Sequence, residues 1–183
     1  MSTIDKALVS GWTSLIGEKS TLLWLTNTWW EQNIDPRTNG YFLVDISHVS
    51  ICTLMLVYTL LVWVVIPAFM RNREPFNLKR WIVIYDFTIV AINLYFFYKT
   101  LQLSYWGQEL FVWHDTKNDW SRKAFDYIDT AHLYYLSKLV DMFDTFFMAF
   151  RKRNSQISFL HVWHHTSLSY AGWLYCRYNP CKF

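Results

Sequence analysis

The chain has 183 residues, of which 53% are hydrophobic and 20% are aromatic, while 17% are charged and the net charge is +3. Soluble domains carry about 25% charged residues, and this net charge is too small and too scattered for a nucleic-acid-binding surface. The composition therefore excludes a nucleic-acid-binding protein and favours a chain that lies in a lipid bilayer.

Four segments of the chain are predicted to cross the membrane as helices. Residues 1–47 are mixed in character and end in a polar turn at 35–40. The stretch from Val49 to Met70 is almost uncharged and exceeds the roughly 20 helical residues that cross a hydrocarbon core about 30 Å thick. The other predicted spans are 81–101, 128–150 and 157–178. The predicted fold class is an all-α, polytopic membrane helix bundle in a single domain, 1–183.

Basic residues concentrate in two predicted loops, 71–80 and 151–156. These loops follow the first and third spans, and the positive-inside rule assigns both to the cytosol. Two loops that are separated by two crossings share one side of the membrane, so the two assignments agree. The N-terminus, the loop at 102–124 and the C-terminus are then predicted to face the lumen or the exterior.

The third predicted span carries several polar residues: Lys138, Asp141, Asp144 and Thr145. At about 100° per residue, Lys138, Asp141 and Thr145 fall within about 60° of one another, and Asp144 lies at the edge of the same sector. An ionisable group deep in a membrane helix costs about 2.5–3.5 kcal/mol on insertion scales, so it faces a partner or a wet cavity. A Lys138–Asp141 pair at i, i+3 would neutralise itself without any function, but it would leave Asp144 unexplained.

The fourth predicted span opens with three histidines: His161, His164 and His165. Their offsets of 0, 3 and 4 residues place them on one helical face about 100° wide. They lie within two turns of the predicted cytosolic end. Imidazole titrates near neutral pH, attacks acyl carbonyls and binds metals. We therefore expect this cluster to carry the chemistry of the chain.

Two chemistries are open for the histidine cluster. The first is a metal site, because H-x-x-H-H spacing holds iron in membrane desaturases and hydroxylases. Those sites need further histidine boxes, whereas His48, His114 and His132 are isolated, and the three cysteines lack zinc spacing. The second is acyl transfer, in which one histidine is nucleophile or base and the other histidines and the carboxylates orient it. A cytosolic position suits a CoA thioester.

The segment from Leu133 to His165 resembles the central signature of the very-long-chain fatty acid elongases, the membrane 3-oxoacyl-CoA synthases. That family has a K-x-x-E-x-x-D-T motif followed by Q-x-x-F-L-H-x-x-H-H. The matching residues are Lys138, Asp141, Asp144, Thr145, Gln156, Phe159, Leu160, His161, His164 and His165. Residues 70–79 and 35–37 also resemble family segments, so the resemblance covers about 30–175.

The resemblance implies an enzyme of the endoplasmic reticulum membrane. It would condense a long-chain acyl-CoA with malonyl-CoA, releasing CO₂ and CoA, with no metal or other cofactor. The implied fold has seven spans, the last six of which form a closed barrel around an acyl tunnel. The implied protein partners are a second copy in a homodimer or other enzymes of the elongation cycle.

The resemblance also implies roles for individual residues. His164 is the implied nucleophile, which forms an acyl-imidazole intermediate, and His161 and His165 position it. The implied supporting charges are Lys138, Asp141 and Asp144. The implied substrate-binding residues are Thr145, Lys152 and Gln156.

Three features depart from the family pattern. Asp141 stands where the family usually has Glu, which withdraws the carboxylate by about one methylene, and Trp163 stands where Tyr is more usual. The chain also stops at Phe183, before the family's fifth span, so we expect half a barrel that is inactive or poorly stable alone. The alternatives are a truncated, inactive membrane partner of a full-length elongase, and a fragment of a histidine-box iron desaturase or hydroxylase.

Overall fold

The computed structural model describes residues 30–108 and 119–179, and this part of the chain consists of helices and turns with no strand. The main helices are α1 (His48–Leu60), α2 (Ile66–Met70), α3 (Lys79–Leu103), α4 (Arg122–Asp141), α5 (Phe143–Phe150) and α6 (Phe159–Tyr178). Short 3₁₀ helices form at Pro36–Thr38 and Asn154–Gln156. The predicted all-α fold is confirmed. The N-terminus, whose orientation was predicted, His114 and residues 109–118 of the predicted loop at 102–124 lie outside the described residues.

The first predicted span is a continuous rod made of α1, a π-helical segment (Leu61–Val65) and α2. It begins at Ser47, whose side chain accepts a hydrogen bond from the Ser50 amide at 3.2 Å, as helix N-caps do. Pro67 would clash with the carbonyl four residues earlier in a regular α-helix. The preceding π-helical segment widens the turn, with the Ile66 amide donating to the Leu61 carbonyl. The rod therefore continues through the proline.

Within residues 30–108 and 119–179, two helical rods are long and apolar enough to cross a membrane, His48–Met70 with 23 residues and Lys79–Leu103 with 25. Helix α3 leaves most of its large apolar side chains exposed, including Phe87 at 73%. Such a surface is suited to lipid rather than water. The chain is thus a helical membrane protein. The third predicted span corresponds to α4 together with α5, and the fourth corresponds to α6. That these two spans cross the membrane stays a prediction.

Helix α4 differs from the predicted third span in its bounds and continuity. It begins at Arg122, earlier than the predicted 128, and it ends at Asp141, so that Met142 separates it from α5. Helix α4 packs closely against α6. A Cβ atom on Gly172 would lie 3.3 Å from the Tyr135 ring, so a glycine at this position allows the two helices to approach. Tyr135 and Trp173 are fully buried at this contact.

The predicted turn at 35–40 forms the 3₁₀ helix at Pro36–Thr38 and closes one end of the bundle. The Asp35 amide donates to the Arg177 carbonyl at 3.0 Å, at the end of α6. Arg177 in turn pairs with Asp45 at 2.9 Å, and the Trp173 indole donates to the Val44 carbonyl at 3.2 Å. The segment before α1 is therefore part of the folded core.

The two basic loops, 71–80 and 151–156, meet at the other end of the bundle. The Phe76 amide donates to the Phe150 carbonyl at 3.1 Å, and Lys152 Nζ lies 3.4 Å from the Arg71 carbonyl. A cavity of about 400 Å³ lies between the loops and is lined by Lys79 and by residues 151–153, among others. This proximity supports the prediction that the two loops share one side of the membrane. The identity of that side stays a prediction.

Candidate active site

The break between α4 and α5 exposes carbonyl groups that a continuous helix would satisfy. The hydroxyl of Tyr85, on α3, lies 3.2 Å from the Val140 carbonyl and 3.3 Å from the Asp141 carbonyl, so it donates to this pair of acceptors. A hydroxyl on a neighbouring helix therefore satisfies the carbonyls at the break. The break in turn sets the direction in which α5 presents its polar residues.

Lys138 and Asp141 form the ion pair that their i, i+3 spacing predicts. Lys138 Nζ lies 2.6 Å from Asp141 Oδ2, and both side chains are largely shielded, with 15% and 21% exposure. The same ammonium group lies 4.9 Å from the centre of the Tyr134 ring. Lys138 and Asp141 therefore satisfy each other, and Asp144 is left for another partner.

Asp144 lies with two of the histidines. One ligand atom each from Asp144, His161 and His165 lies within 4.8 Å of the others, and all three residues are half-buried. The imidazoles of His161 and His165 are neighbours on α6, with ring centres 4.6 Å apart. The sequence therefore identified the members of this cluster, and the structure pairs Asp144, rather than Asp141, with the histidines.

A hydroxyl chain leads into the cluster from α1. Tyr58 donates to Thr145 Oγ1 at 2.7 Å, and Thr145 Oγ1 lies 3.0 Å from His161 Nε2. Thr145 is completely buried. Its hydroxyl therefore contacts the protein interior rather than open space, which favours a positioning role over direct substrate binding. Sequence reasoning missed Tyr58, because its hydroxyl is one of several in the first span and nothing local reveals its partner.

His164 occupies a different position from its two neighbours. It is exposed, and its ring centre lies 5.9 Å from that of His165. The three histidines do share one helical face, but Asp144 of α5 lies beside His161 and His165 only. His164 is consequently the most accessible imidazole of the three.

Lys152 and Gln156 lie in the loop between α5 and α6, and both are exposed. Lys152 lines the basic cavity, whereas the backbone of Gln156 closes the short 3₁₀ helix by donating to the Arg153 carbonyl at 2.9 Å. Among the described contacts, neither side chain touches the histidine cluster. Their substrate-binding role stays a prediction.

The isolated histidines that the structure describes have structural partners. His48 Nδ1 lies 3.2 Å from the Tyr170 hydroxyl and His48 Nε2 lies 3.0 Å from the Tyr178 hydroxyl. His132 Nε2 lies 2.9 Å from the Phe42 carbonyl. Neither ring joins the cluster at the start of α6.

Helix α6 begins at Ser158, which accepts a hydrogen bond from the His161 amide at 3.1 Å. Replacing Ser158 with alanine is expected to lower the free energy of unfolding by about 1 kcal/mol, because the first amides of the helix lose an acceptor. Thermal unfolding in detergent micelles measures this change. Ser155→Ala is the matched control, since that exposed serine lies just before α6 in the same loop. Equal loss in both variants would contradict a capping role.

These helices and their cluster define an all-α membrane protein with a histidine–carboxylate site at one end of the bundle. Residues 44–183 match the model of the ELO family, described as the GNS1/SUR4 family, and the chain belongs to this family.

Several relatives carry the name very long chain fatty acid elongase. Elongase 5 of Tachysurus fulvidraco is 33% identical over 152 residues, which is 83% of this chain and 51% of that protein. Elongase 7 of Rattus norvegicus is 35% identical over 145 residues, 79% of this chain and 51% of that protein. Elongase 5 of Homo sapiens is 33% identical over 147 residues, 80% of this chain and 48% of that protein. The chain thus spans about half the length of the relatives it matches.

Proposed function

We propose that this chain acts in the condensation step of fatty acid elongation, at the endoplasmic reticulum membrane. In this step a long-chain acyl-CoA and malonyl-CoA become a 3-oxoacyl-CoA, CO₂ and CoA. The observation that carries the proposal is the cluster of Asp144, His161 and His165 beside the exposed His164. Membership of the ELO family, with relatives named as very long chain fatty acid elongases, supports the same reaction.

The proposed first step is acyl transfer to His164. A neutral imidazole nitrogen attacks the thioester carbonyl, a C–N bond forms, the C–S bond breaks, and CoA leaves as a thiolate that takes up the imidazole proton. Exposure of the His164 ring supports this assignment, because a bulky thioester must reach the nucleophile. His165, with its ring centre 5.9 Å away, limits the orientations that the His164 ring adopts.

The proposed second step forms the new carbon–carbon bond. Malonyl-CoA loses CO₂, and the electron pair of the broken C–C bond remains as an enolate. The enolate carbon attacks the acyl-imidazole carbonyl, the C–N bond breaks, and the imidazole of His164 is restored by taking up one proton from solvent. In this proposal the ammonium group of Lys138 stabilises the developing enolate charge, with Asp141 holding Lys138 in place at 2.6 Å.

The proposed reaction has consequences for water, for cofactors and for the location of the site. An acyl-imidazole reacts with water, so the reaction needs a site from which water is excluded. Both co-substrates bring their own reactive groups, so the proposal includes no resident metal or cofactor. The basic cavity lined by Lys79 and by residues 151–153 supports a cytosolic location for these loops, since CoA esters carry phosphates.

Expression of residues 1–183 in microsomes that lack their own elongases tests the proposal. Protease protection first verifies membrane insertion, and labelled malonyl-CoA then reports 3-oxoacyl product with several long-chain acyl-CoAs. The proposal requires product from the wild-type chain and none from His164→Ala, whereas half a barrel that is inactive alone would give no product from either. His132→Gln serves as the matched control, because His132 lies on α4 away from the cluster and its ring contacts the Phe42 carbonyl.

The outcome separates the proposal from the alternative of a non-catalytic membrane partner. Product that disappears in His164→Ala supports condensation by an acyl-histidine route. No product from a well-inserted chain, together with co-purification with a full-length elongase, would contradict the proposal for this chain and favour the partner role.

A further inference from the structure

We propose that Asp144, His161 and His165 also form a reversible binding site for Zn²⁺, and that zinc bound there inhibits the chain. The binding follows from the three side chains alone. The inhibition rests on the function proposed above, because zinc would occupy groups that the condensation needs.

The geometry of α6 supplies two of the ligands. Histidines at i and i+4 lie on one face of a helix and point in the same direction, which is the arrangement that binds zinc in H-E-x-x-H helices. His161 and His165 have this spacing, and their ring centres are 4.6 Å apart. An open zinc site needs three protein ligands, so this pair of histidines needs one more.

The third ligand comes from the neighbouring helix α5. The carboxylate of Asp144 reaches the two imidazoles, and the three ligand atoms lie within 4.8 Å of one another. Zinc bonds of about 2.0–2.2 Å place tetrahedral ligand atoms about 3.3–3.6 Å apart. The longest of these separations therefore has to shorten by about 1.2–1.5 Å, which we expect rotation of the half-buried side chains to supply.

The donor set and its surroundings suit zinc. Two imidazole nitrogens and one carboxylate oxygen are the ligands of open zinc sites, in which the fourth position holds water. The Thr145 hydroxyl, 3.0 Å from His161 Nε2, orients one ring, as hydrogen bonds to metal-binding histidines do. Lys138 is already paired with Asp141 at 2.6 Å, so it does not occupy the carboxylate of Asp144. The carboxylate of Asp144 therefore remains available to compensate the cation.

Zinc at this position would act on the chemistry through the two imidazoles. Metal binding uses the lone pair of each coordinating nitrogen, so His161 and His165 would no longer orient His164 or exchange protons. His164 itself lies outside the three-residue set and stays exposed. The site therefore predicts inhibition without direct blockage of the nucleophile.

Direct metal binding tests the site without reference to activity. The full chain, purified in detergent with a tag that contains no histidine, is titrated with Co²⁺, whose visible spectrum reports tetrahedral coordination, and Zn²⁺ then displaces it. One metal per chain is expected, without a thiolate charge-transfer band. Asp144→Asn and His165→Gln are each expected to weaken Zn²⁺ binding by more than about 100-fold, beyond the loss typical of residues that only orient a ligand.

Three variants control for folding and for ligand identity. Asp144→Glu retains a carboxylate and is expected to bind Zn²⁺ within about 10-fold of the wild type. This factor corresponds to about 1.4 kcal/mol of binding free energy. His164→Gln and His132→Gln are expected to bind Zn²⁺ as the wild type does. Unchanged binding in Asp144→Asn and His165→Gln, or loss of binding in His164→Gln alone, would overturn the site.

The activity assay then separates this inference from the proposed function. Zn²⁺ is expected to inhibit wild-type condensation, with the inhibition reversed by a chelator. Zinc binding in a chain that never condenses would leave the site intact and contradict the proposed function. Condensation that is insensitive to Zn²⁺ at concentrations that saturate the site would overturn the inhibition.

Discussion

Replacing Arg37 with alanine is expected to lower the free energy of unfolding by about 3–5 kcal/mol, the cost of breaking a buried ion pair by removing one partner. Arg37 and Asp35 are 5% and 1% exposed. Arg37 Nη2 lies 2.6 Å from Asp35 Oδ2, Nε lies 3.0 Å from Oδ1, and Nη1 donates to the Asp119 carbonyl at 2.7 Å. The alanine variant leaves a buried carboxylate with the amide of residue 37 as a donor but without its charged partner.

Reversible unfolding in mixed micelles, followed by tryptophan fluorescence, measures this loss. Arg80→Ala is the matched control, because Arg80 is an exposed arginine at the opposite end of the bundle. The double variant Asp35→Leu, Arg37→Leu is expected to be more stable than Arg37→Ala, since it removes both buried charges together. A loss of less than about 1 kcal/mol in Arg37→Ala, typical of exposed pairs, would contradict the buried-pair interpretation.

The sequence was sufficient to predict those features that depend on local pattern. Apolar length predicted the rod from His48 to Met70, and i, i+3 spacing predicted the ion pair between Lys138 and Asp141. The concentration of basic residues in two loops predicted that these loops share one end of the bundle. The rod and the ion pair each depend on residues within one apolar run or within one helical turn, and the shared end of the two loops follows from their charge and from the number of crossings between them.

Features that depend on long-range packing could not be predicted in this way. Arg37 and Asp119 are 82 positions apart, and Tyr58 and Thr145 are 87 positions apart. Helical spacing places the three histidines on one face, but only long-range packing determines which of them is covered. The break at Met142 likewise depends on Tyr85, because a hydroxyl from another helix satisfies the carbonyls beside it.

Thr145 links these long-range contacts to the proposed chemistry, which makes it a positioning residue with a measurable effect. Thr145→Val keeps the shape of the side chain but removes the hydroxyl between Tyr58 and His161 Nε2. The His161 imidazole then loses the group that fixes its orientation and tautomer. We expect kcat for condensation to fall by about 100-fold, the lower range for loss of general acid–base function. KM is expected to change little, because the buried hydroxyl does not contact substrate.

Two companion variants and a spectroscopic measurement distinguish positioning from a general loss of structure. Thr145→Ser restores the hydroxyl and is expected to recover most of kcat, whereas Tyr58→Phe removes only the donor to Thr145 and is expected to have a smaller effect than Thr145→Val. Nitrogen chemical shifts of labelled His161 report its tautomer, which is expected to become mixed in Thr145→Val and to remain single in Thr145→Ser. An unchanged tautomer, or a loss of kcat in Thr145→Ser as large as in Thr145→Val, would show that the hydroxyl does not act through His161.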